Sequence, residues 1–243
     1  IPYSSLILGI VQFGSFYYFL ALSSSFYLFS DIGLSAYLGR EYNQKKLNGD
    51  KLTTLVTFFY TKSISIFICF SFSLSLLVLY FDTPLFKVII LMILIAFADN
   101  YKKIFVSILN TKQKNEIYSI ISVISSLLLV TGGLLVLKFT QSFFYYTAVF
   151  LFSNALELVC LLLVFRKEFP SFRLFKRETS LTMLKQSFPF MLTGIISMLL
   201  NFSDTLIIKW MRGFEMVAFY QAPLRIIGVA SIFYISFGNA LYP

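Results

Sequence analysis

Long hydrophobic runs, separated by short polar segments, occupy most of the chain. About seven runs can be placed, at residues 15–38, 53–80, 85–109, 117–137, 143–165, 187–209 and 217–241. A helix needs about 20 residues to cross the roughly 30 Å of hydrocarbon in a bilayer, and each run reaches that length. Because the runs lack the alternating polarity of barrel strands, they are predicted to be membrane-spanning helices.

The composition agrees with this pattern. Hydrophobic residues make up 58% of the chain and charged residues 13%, and the mean hydropathy is +0.82. A soluble domain carries about 25% charged residues. The predicted fold class is therefore an all-α integral membrane protein, a polytopic helix bundle with little sequence left for a soluble domain.

The basic residues mark one side of the predicted membrane. Fourteen Lys and Arg residues lie in the segments 40–51, 102–114 and 166–185, whereas four lie in the intervening connections. Because cytoplasmic loops retain positive charge, the three basic segments are predicted to be cytoplasmic. The net charge of +9 is then mostly a matter of topology, and nucleic acid is not an expected partner.

The longest basic segment sets three aromatic residues, Phe169, Phe172 and Phe175, among its charges. It fits an amphipathic helix on the inner leaflet, with rings in the interface and basic residues on anionic headgroups. An ordinary cytoplasmic loop fits equally well. The predicted domains are a first transmembrane lobe (1–165), a cytoplasmic amphipathic linker (166–186) and the start of a second transmembrane lobe (187–243).

Two short segments of the chain are similar to each other. GIVQFGSF begins at Gly9 and GFEMVAFY begins at Gly213, and each precedes a span that runs from outside to inside. If the first copy follows span one and the second follows span seven, the repeat unit is six helices. Two such copies have parallel topology about an axis along the membrane normal.

Three stretches of the chain carry a resemblance to a known family. They read IPYSSLILGIVQFGSFYYF at the start, FYLFSDIGLSAYLGREYNQKK, and SFPFMLTGIISMLLNFSDTLIIKWMRGFEMVAFYQAPLRI. The pattern resembles the polysaccharide flippases of the multidrug/oligosaccharidyl-lipid/polysaccharide exporter superfamily, which include bacterial O-antigen and capsule-unit translocases. The resemblance implies about 12 to 14 helices in two six-helix lobes around a central cavity. This chain would be a fragment, with the first lobe lacking most of span one, plus the first two helices of the second lobe.

Asp204 and Arg225 are predicted to reach similar depth on neighbouring spans. A charge inside a span costs several kcal/mol unless it is paired or faces water. Asp204 and Arg225 therefore fit a static ion pair between helices. They also fit a cavity, in which Arg225 receives a pyrophosphate or an acidic sugar and Asp204 orients it.

Lys62 and Glu157 form a second candidate pair, since both lie within spans about eight to ten residues from the predicted cytoplasmic ends. The Glu157 carboxylate could respond to protons or to another cation. A static ion pair with Lys62 is at least as well supported.

A third span carries Asp99, Lys102 and Lys103. Asp99 and Lys103 are four residues apart, so they share a helical face. Both lysines also fit side chains that snorkel to the inner headgroups. Asp31 lies near the inner end of its span. Arg40 lies beyond this end and fits an interfacial anchor. The resemblance to the flippase family also makes Arg40 a candidate ligand.

The residue types and motifs of the chain give little indication of enzyme activity. The chain has no His, and Cys69 and Cys160 lie in different spans without a CxxC motif. It has no Asp-x-Asp pair and no GxxxxGK phosphate loop. We therefore expect no enzyme activity, no cofactor and no metal site.

The resulting hypothesis is a transporter in the bacterial cytoplasmic (inner) membrane. It moves an undecaprenyl-pyrophosphate-linked oligosaccharide to the outer leaflet by alternating access of two lobes around a wet, cationic cavity. Expected partners are this lipid-linked oligosaccharide, membrane lipids and polysaccharide assembly proteins. Candidate substrate-binding residues are Arg225, Lys62, Lys103 and Arg40, and candidate coupling or ion-pair residues are Asp204, Glu157, Asp99 and Asp31.

Three alternatives stay open at this point. One is a cation-coupled multidrug antiporter of the same superfamily, with Asp204 or Glu157 as the coupling carboxylate. Another is an integral-membrane glycan polymerase, although every predicted outward connection is short. The last is a non-transporting scaffold.

Overall fold

The computed structural model describes residues 9–43, 51–76, 86–140, 142–166 and 175–241, and this part of the chain is almost entirely helical, without a strand. Its helices are α1 (Ile10–Asp31), α2 (Leu34–Asn43), α3 (Lys51–Leu76), α4 (Phe86–Thr111), α5 (Asn115–Thr140), α6 (Phe143–Phe165) and α7 (Arg177–Leu241). The predicted all-α polytopic helix bundle is confirmed.

Among the described residues, three helices are long and apolar enough to cross a membrane, namely Leu52–Ser75 within α3 and all of α5 and α6. The bent pair Arg177–Ser197 and Phe202–Leu224 in α7 also has the length and composition of a span, but its second member contains the non-helical Gly213. The length of α4 also suffices, but its second half carries three charged residues. Charged groups within such a helix indicate contact with other polar groups or with water.

Helix α7 consists of two arms, 177–212 and 214–241, which meet at Gly213. The φ of +81° and ψ of −175° at Gly213 are not helical, and glycine adopts them without steric cost. In one continuous helix, residues 204 and 220 would be about 24 Å apart. Instead, the Tyr220 hydroxyl donates a hydrogen bond to Asp204 Oδ2 at 2.6 Å. The second arm therefore runs back along the first.

The predicted span 15–38 is broken between α1 and α2. Ile32 and Gly33 have positive φ angles of 47° and 71°. A Cβ added to Gly33 would lie 2.6 Å from both the amide nitrogen of Met191 and the carbonyl oxygen of Ser187, in the first arm of α7. The break therefore lets the backbone of this segment lie directly against α7.

The other end of α1 packs against the second arm of α7. A Cβ added to Gly14 would lie 1.8 Å from the carbonyl oxygen of Phe214 and 3.2 Å from the amide nitrogen of Ala218. Gly14 belongs to the first of the two similar sequence segments, whereas Phe214 and Ala218 belong to the second. The two segments therefore pack against each other.

Two apolar clusters lie on either side of a more polar level of the bundle. One contains Phe16, Met92 and Val217, and the other contains Phe58 and Ile104, all of them buried. Along α4, residues 88–95 belong to the first cluster and residues 104–109 to the second. The charged part of α4 lies between them, at the level where a cavity opens.

The ends of α4 and α6 lie close together, since the Lys112 ammonium is 5.8 Å from the centre of the Phe165 ring. The backbone N–H of Lys176 donates to Thr57 Oγ1 at 3.4 Å, which brings the start of α7 to the first half of α3. Residues 167–174 of the predicted linker lie outside the described residues, and its part from Arg177 onward belongs to α7. The division into two lobes stays a prediction.

Candidate functional site

A cavity of about 510 Å³ lies between α1, α4, α5, α6 and both arms of α7. Its polar lining includes Asp99, Asn100, Lys102, Asn154, Glu157 and Gln221. Aromatic side chains from three helices complete the wall, namely Tyr17, Phe150 and Phe202. The volume is within the range of sites that hold small organic molecules.

Helical spacing explains why the polar residues share one wall. In α6, residues 150, 153, 154 and 157 are three or four positions apart, so they lie on one helical face. In α4, residues 95, 96, 99, 100 and 102 face the same space. The buried hydroxyls of Ser153 and Ser125 share a hydrogen bond of 2.7 Å, which fixes α6 against α5 behind this wall.

Lys102 is the centre of the polar wall. Its ammonium contacts Asp99 Oδ1 at 3.2 Å and donates to Asn154 Oδ1 at 3.0 Å and to Glu157 Oε2. An ammonium has three N–H donors, so three oxygen partners satisfy it. The side chain is 8% exposed and that of Glu157 is 9% exposed. This network ties α4 to α6 at the cavity.

Asp99 is shared between two lysines. Its Oδ2 atom contacts the Lys103 ammonium at 2.6 Å, one helical turn away, while its Oδ1 atom contacts Lys102. Together with Glu157, the cluster has two carboxylates and two ammonium groups, so its formal charge is zero. Lys103 is about one third exposed and is outside the lining formed by the described residues.

Asn100 adds an unsatisfied polar atom to this region. Its side-chain Oδ1 is buried and has no hydrogen-bond partner among the described residues. The residue is 7% exposed and lines the cavity beside Asp99. Leaving a buried acceptor without a partner costs about 1–3 kcal/mol. Such an atom is therefore expected to find a partner during function.

A second lysine–carboxylate pair lies away from the cavity. The Lys62 ammonium in α3 contacts Asp31 Oδ1 at 2.5 Å, at the end of α1. It also donates to the Ser35 hydroxyl at 2.5 Å, and that hydroxyl donates to Asp31 at 2.6 Å. Lys62 is 0% exposed, and the cavity lining among the described residues does not include it.

The candidate charged residues of α2 and α7 have surroundings that differ from those of Lys62 and Lys102. Asp204 is exposed and accepts the Tyr220 hydrogen bond. The side chain of Arg225 lies outside the described residues, so the predicted Asp204–Arg225 pair is not tested, although its neighbour Leu224 lines the cavity. Arg40 is exposed in the last turn of α2, with its guanidinium 6.0 Å from the centre of the Phe190 ring.

A family model described as polysaccharide biosynthesis protein matches residues 1–243. The chain belongs to the polysaccharide biosynthesis protein family. No curated protein and no solved structure matches the chain. The family and the apolar helices together identify a multi-pass membrane protein and fit a membrane transporter.

In this polysaccharide biosynthesis protein, the predicted pair of Lys62 with Glu157 is wrong. Lys62 contacts Asp31, and Glu157 contacts Lys102. The reason is that residues at similar depth in a bundle meet only if their helices are neighbours on the correct faces. Asp99 and Lys103, which were predicted to share a helical face, are in contact, because residues four apart on a helix are neighbours.

Other expectations for the family member are also corrected. Lys102 does not snorkel to a headgroup region, since its ammonium is buried in contact with Asp99 and Glu157. The cavity is not cationic over the residues that the structure describes, because these two carboxylates face one lysine ammonium in its lining. Lys62 does not reach the cavity in this conformation.

The sequence did not predict the three amide side chains of the cavity wall in this family member. They are Asn100, Asn154 and Gln221. A signal was present, because Asn154 and Glu157 stand three positions apart in a helix that is otherwise strongly apolar. Polar residues at helical spacing within a span indicate a polar face. Among the described residues, no three His, Cys, Asp or Glu side chains form a group that could hold a metal ion.

Proposed function

We propose that this member of the polysaccharide biosynthesis protein family is a flippase rather than an enzyme. It moves an undecaprenyl-pyrophosphate-linked oligosaccharide from the cytoplasmic to the outer leaflet of the bacterial inner membrane. The product supplies lipopolysaccharide or capsule synthesis. The observation that carries the proposal is a polar cavity within a bundle of apolar helices, in a chain that matches the family over its whole length.

The cavity wall suits a sugar better than an apolar molecule. Sugar hydroxyls both donate and accept hydrogen bonds, and the amides of Asn154 and Gln221 can do the same. The rings of Tyr17, Phe150 and Phe202 offer apolar faces for sugar C–H groups. The lipid tail stays in the bilayer, and Arg225 makes paired hydrogen bonds to the pyrophosphate.

Alternating access requires that contacts across the cavity open in turn. The close backbone contacts of α1 with α7, at Gly14 and at Gly33, lie at opposite ends of α1. In the proposed cycle, one contact separates while the other is kept, so that the cavity opens to one side at a time. Each contact is stabilised by packing of backbone on backbone, which small residues allow in membranes.

Complementation tests the function. The full-length gene is expressed in a strain that lacks its own flippase, and surface polysaccharide is measured together with the amount of protein in the membrane. The wild type should restore the polymer. Arg225→Ala should not, because alanine cannot make the paired hydrogen bonds of arginine to the pyrophosphate. Arg212→Ala, an exposed arginine beside Gly213, is the matched control and should remain active.

Two results would contradict these assignments. Full activity of Arg225→Ala would remove Arg225 from the substrate site. Failure of the wild type to move a fluorescent undecaprenyl-pyrophosphate oligosaccharide across the membrane of proteoliposomes would reject the flippase itself.

A second candidate is a multidrug antiporter of the same superfamily. The observation in its favour is the lining, where two carboxylates face one lysine and would attract an organic cation. The Lys102 ammonium already engages both carboxylates, which favours the flippase. Resistance to ethidium that depends on Glu157 would support the antiporter instead.

A further inference from the structure

The Lys102 ammonium is surrounded in the way that a small metal cation is. Its oxygen partners come from two helices, with Asp99 in α4 and with Asn154 and Glu157 in α6. All four residues line the cavity. Two carboxylates and an amide carbonyl are the oxygen ligands that hard cations take in proteins.

The charges of this group are balanced. With Lys102 and Lys103 present, the two carboxylates are neutralised. Removing only the Lys102 charge would leave the two carboxylates with one ammonium group, that of Lys103, which contacts Asp99. The excess negative charge at the cavity would then favour binding of another cation or a proton in place of the lost ammonium.

A further side-chain oxygen belongs to a residue of the same cavity wall. The Asn100 side-chain Oδ1 is buried without a hydrogen-bond partner among the described residues, directly after Asp99 in α4. If Lys102 served only to join α4 to α6, an unpaired acceptor in the same cavity wall would bring a cost and no gain. As a spare ligand, it would complete a set of four oxygens around a metal ion.

We propose that the Lys102 ammonium is a built-in cation, which permanently holds the position that a sodium ion would take between α4 and α6. The protein therefore does not bind sodium at this cavity. Substitution of Lys102 by a small neutral residue converts the same oxygens into a sodium site. The inference concerns ion binding alone and does not depend on the identity of the transported substrate.

The test measures thermal unfolding of the purified full-length protein in detergent, in NaCl and in choline chloride at equal ionic strength. The wild type should have the same Tm in both salts. Lys102→Ala should have a lower Tm in choline chloride and regain at least about 2 °C in NaCl, because a ligand that binds only the folded state stabilises it.

Two further variants separate a sodium site from a general salt effect. Lys103→Ala removes a neighbouring ammonium but leaves the Lys102 contacts, so its Tm should not respond to sodium. The double variant Lys102→Ala with Glu157→Gln removes a carboxylate ligand and should lose most of the sodium response.

Several results would overturn the proposal. A sodium-specific rise in the Tm of the wild type would show that Lys102 does not replace the ion. Equal Tm values of Lys102→Ala in the two salts would show that the oxygens do not form a site, and Lys102 would then be a structural link between helices. If Lys102→Ala does not fold, Lys102→Ser gives the same comparison, since its side chain is also small and uncharged.

Discussion

The two buried lysine networks have the same chemistry and different surroundings. Lys62 and Asp31 lie where the α1–α2 break meets α3, with exposed fractions of 0% and 13%. Lys102 and Glu157 are almost as buried, but they line a cavity of about 510 Å³. Depth in the bundle and charge therefore do not by themselves indicate function. Access to an open space separates a structural pair from a candidate site.

The sharpest test of this difference is Lys62→Ala. Removing one member of an enclosed ion pair leaves Asp31 without compensation and is expected to cost about 3–5 kcal/mol of the free energy of unfolding. Thermal unfolding of the purified protein and its abundance in membranes measure the loss. Lys87→Ala, an exposed lysine in the first turn of α4, is the control and should change stability by less than about 0.5 kcal/mol. A Tm close to that of the wild type would mean that the Lys62 pair does not stabilise the fold.

Compared with Lys62→Ala, Lys102→Ala should lower the stability less and the transport activity more. The loss of charged hydrogen bonds is expected to cost about 1–3 kcal/mol, less than for Lys62, because water in the cavity can solvate Asp99 and Glu157. Surface polysaccharide in the complementation assay should fall to the level of the empty strain. Lys138→Ala, at the exposed end of α5, should keep activity. If Lys102→Ala lowers stability more than Lys62→Ala does, the distinction between the two regions is wrong.

Gly33→Ala examines how tightly the Lys62 region is packed. The added methyl group would lie 2.6 Å from the α7 backbone at a positive φ, so we expect a loss of about 1–3 kcal/mol. Gly39→Ala in α2 is the matched control, because nothing lies within 4 Å of its Cβ position. It should be neutral or stabilise the helix by up to about 1 kcal/mol. Equal Tm values for the two variants would argue against the close contact.

The smallest expected effect comes from Tyr220→Phe, which removes the hydrogen bond to Asp204 between the two arms of α7. Asp204 is exposed, and hydrogen bonds between helices in membranes contribute on average about 0.6 kcal/mol. The Tm should therefore fall by no more than about 2 °C. Tyr145→Phe, exposed on α6, serves as the control. A large loss would place Asp204 among the structural charges together with Asp31.

Local contacts were predictable from the sequence, whereas contacts between helices were not. Asp99 and Lys103 meet because four residues bring a helix round by about one turn. Lys62 was assigned to Glu157 on depth alone, but α3 presents it to the α1–α2 break instead. The break itself was not predicted. Its sequence, Asp-Ile-Gly-Leu, contains a glycine, but only the contact with Ser187 and Met191 explains why the chain needs one there.

The amino-acid sequence alone determined that this protein is a bundle of apolar helices in a membrane, because spans of about 20 apolar residues have no other way to satisfy their backbone there. It also determined which residues are costly to bury. The tertiary structure decided which charges meet and which of them reach the cavity. That choice depends on the rotation and the neighbours of each helix, and hydrophobic periodicity is too weak in an apolar span to specify either.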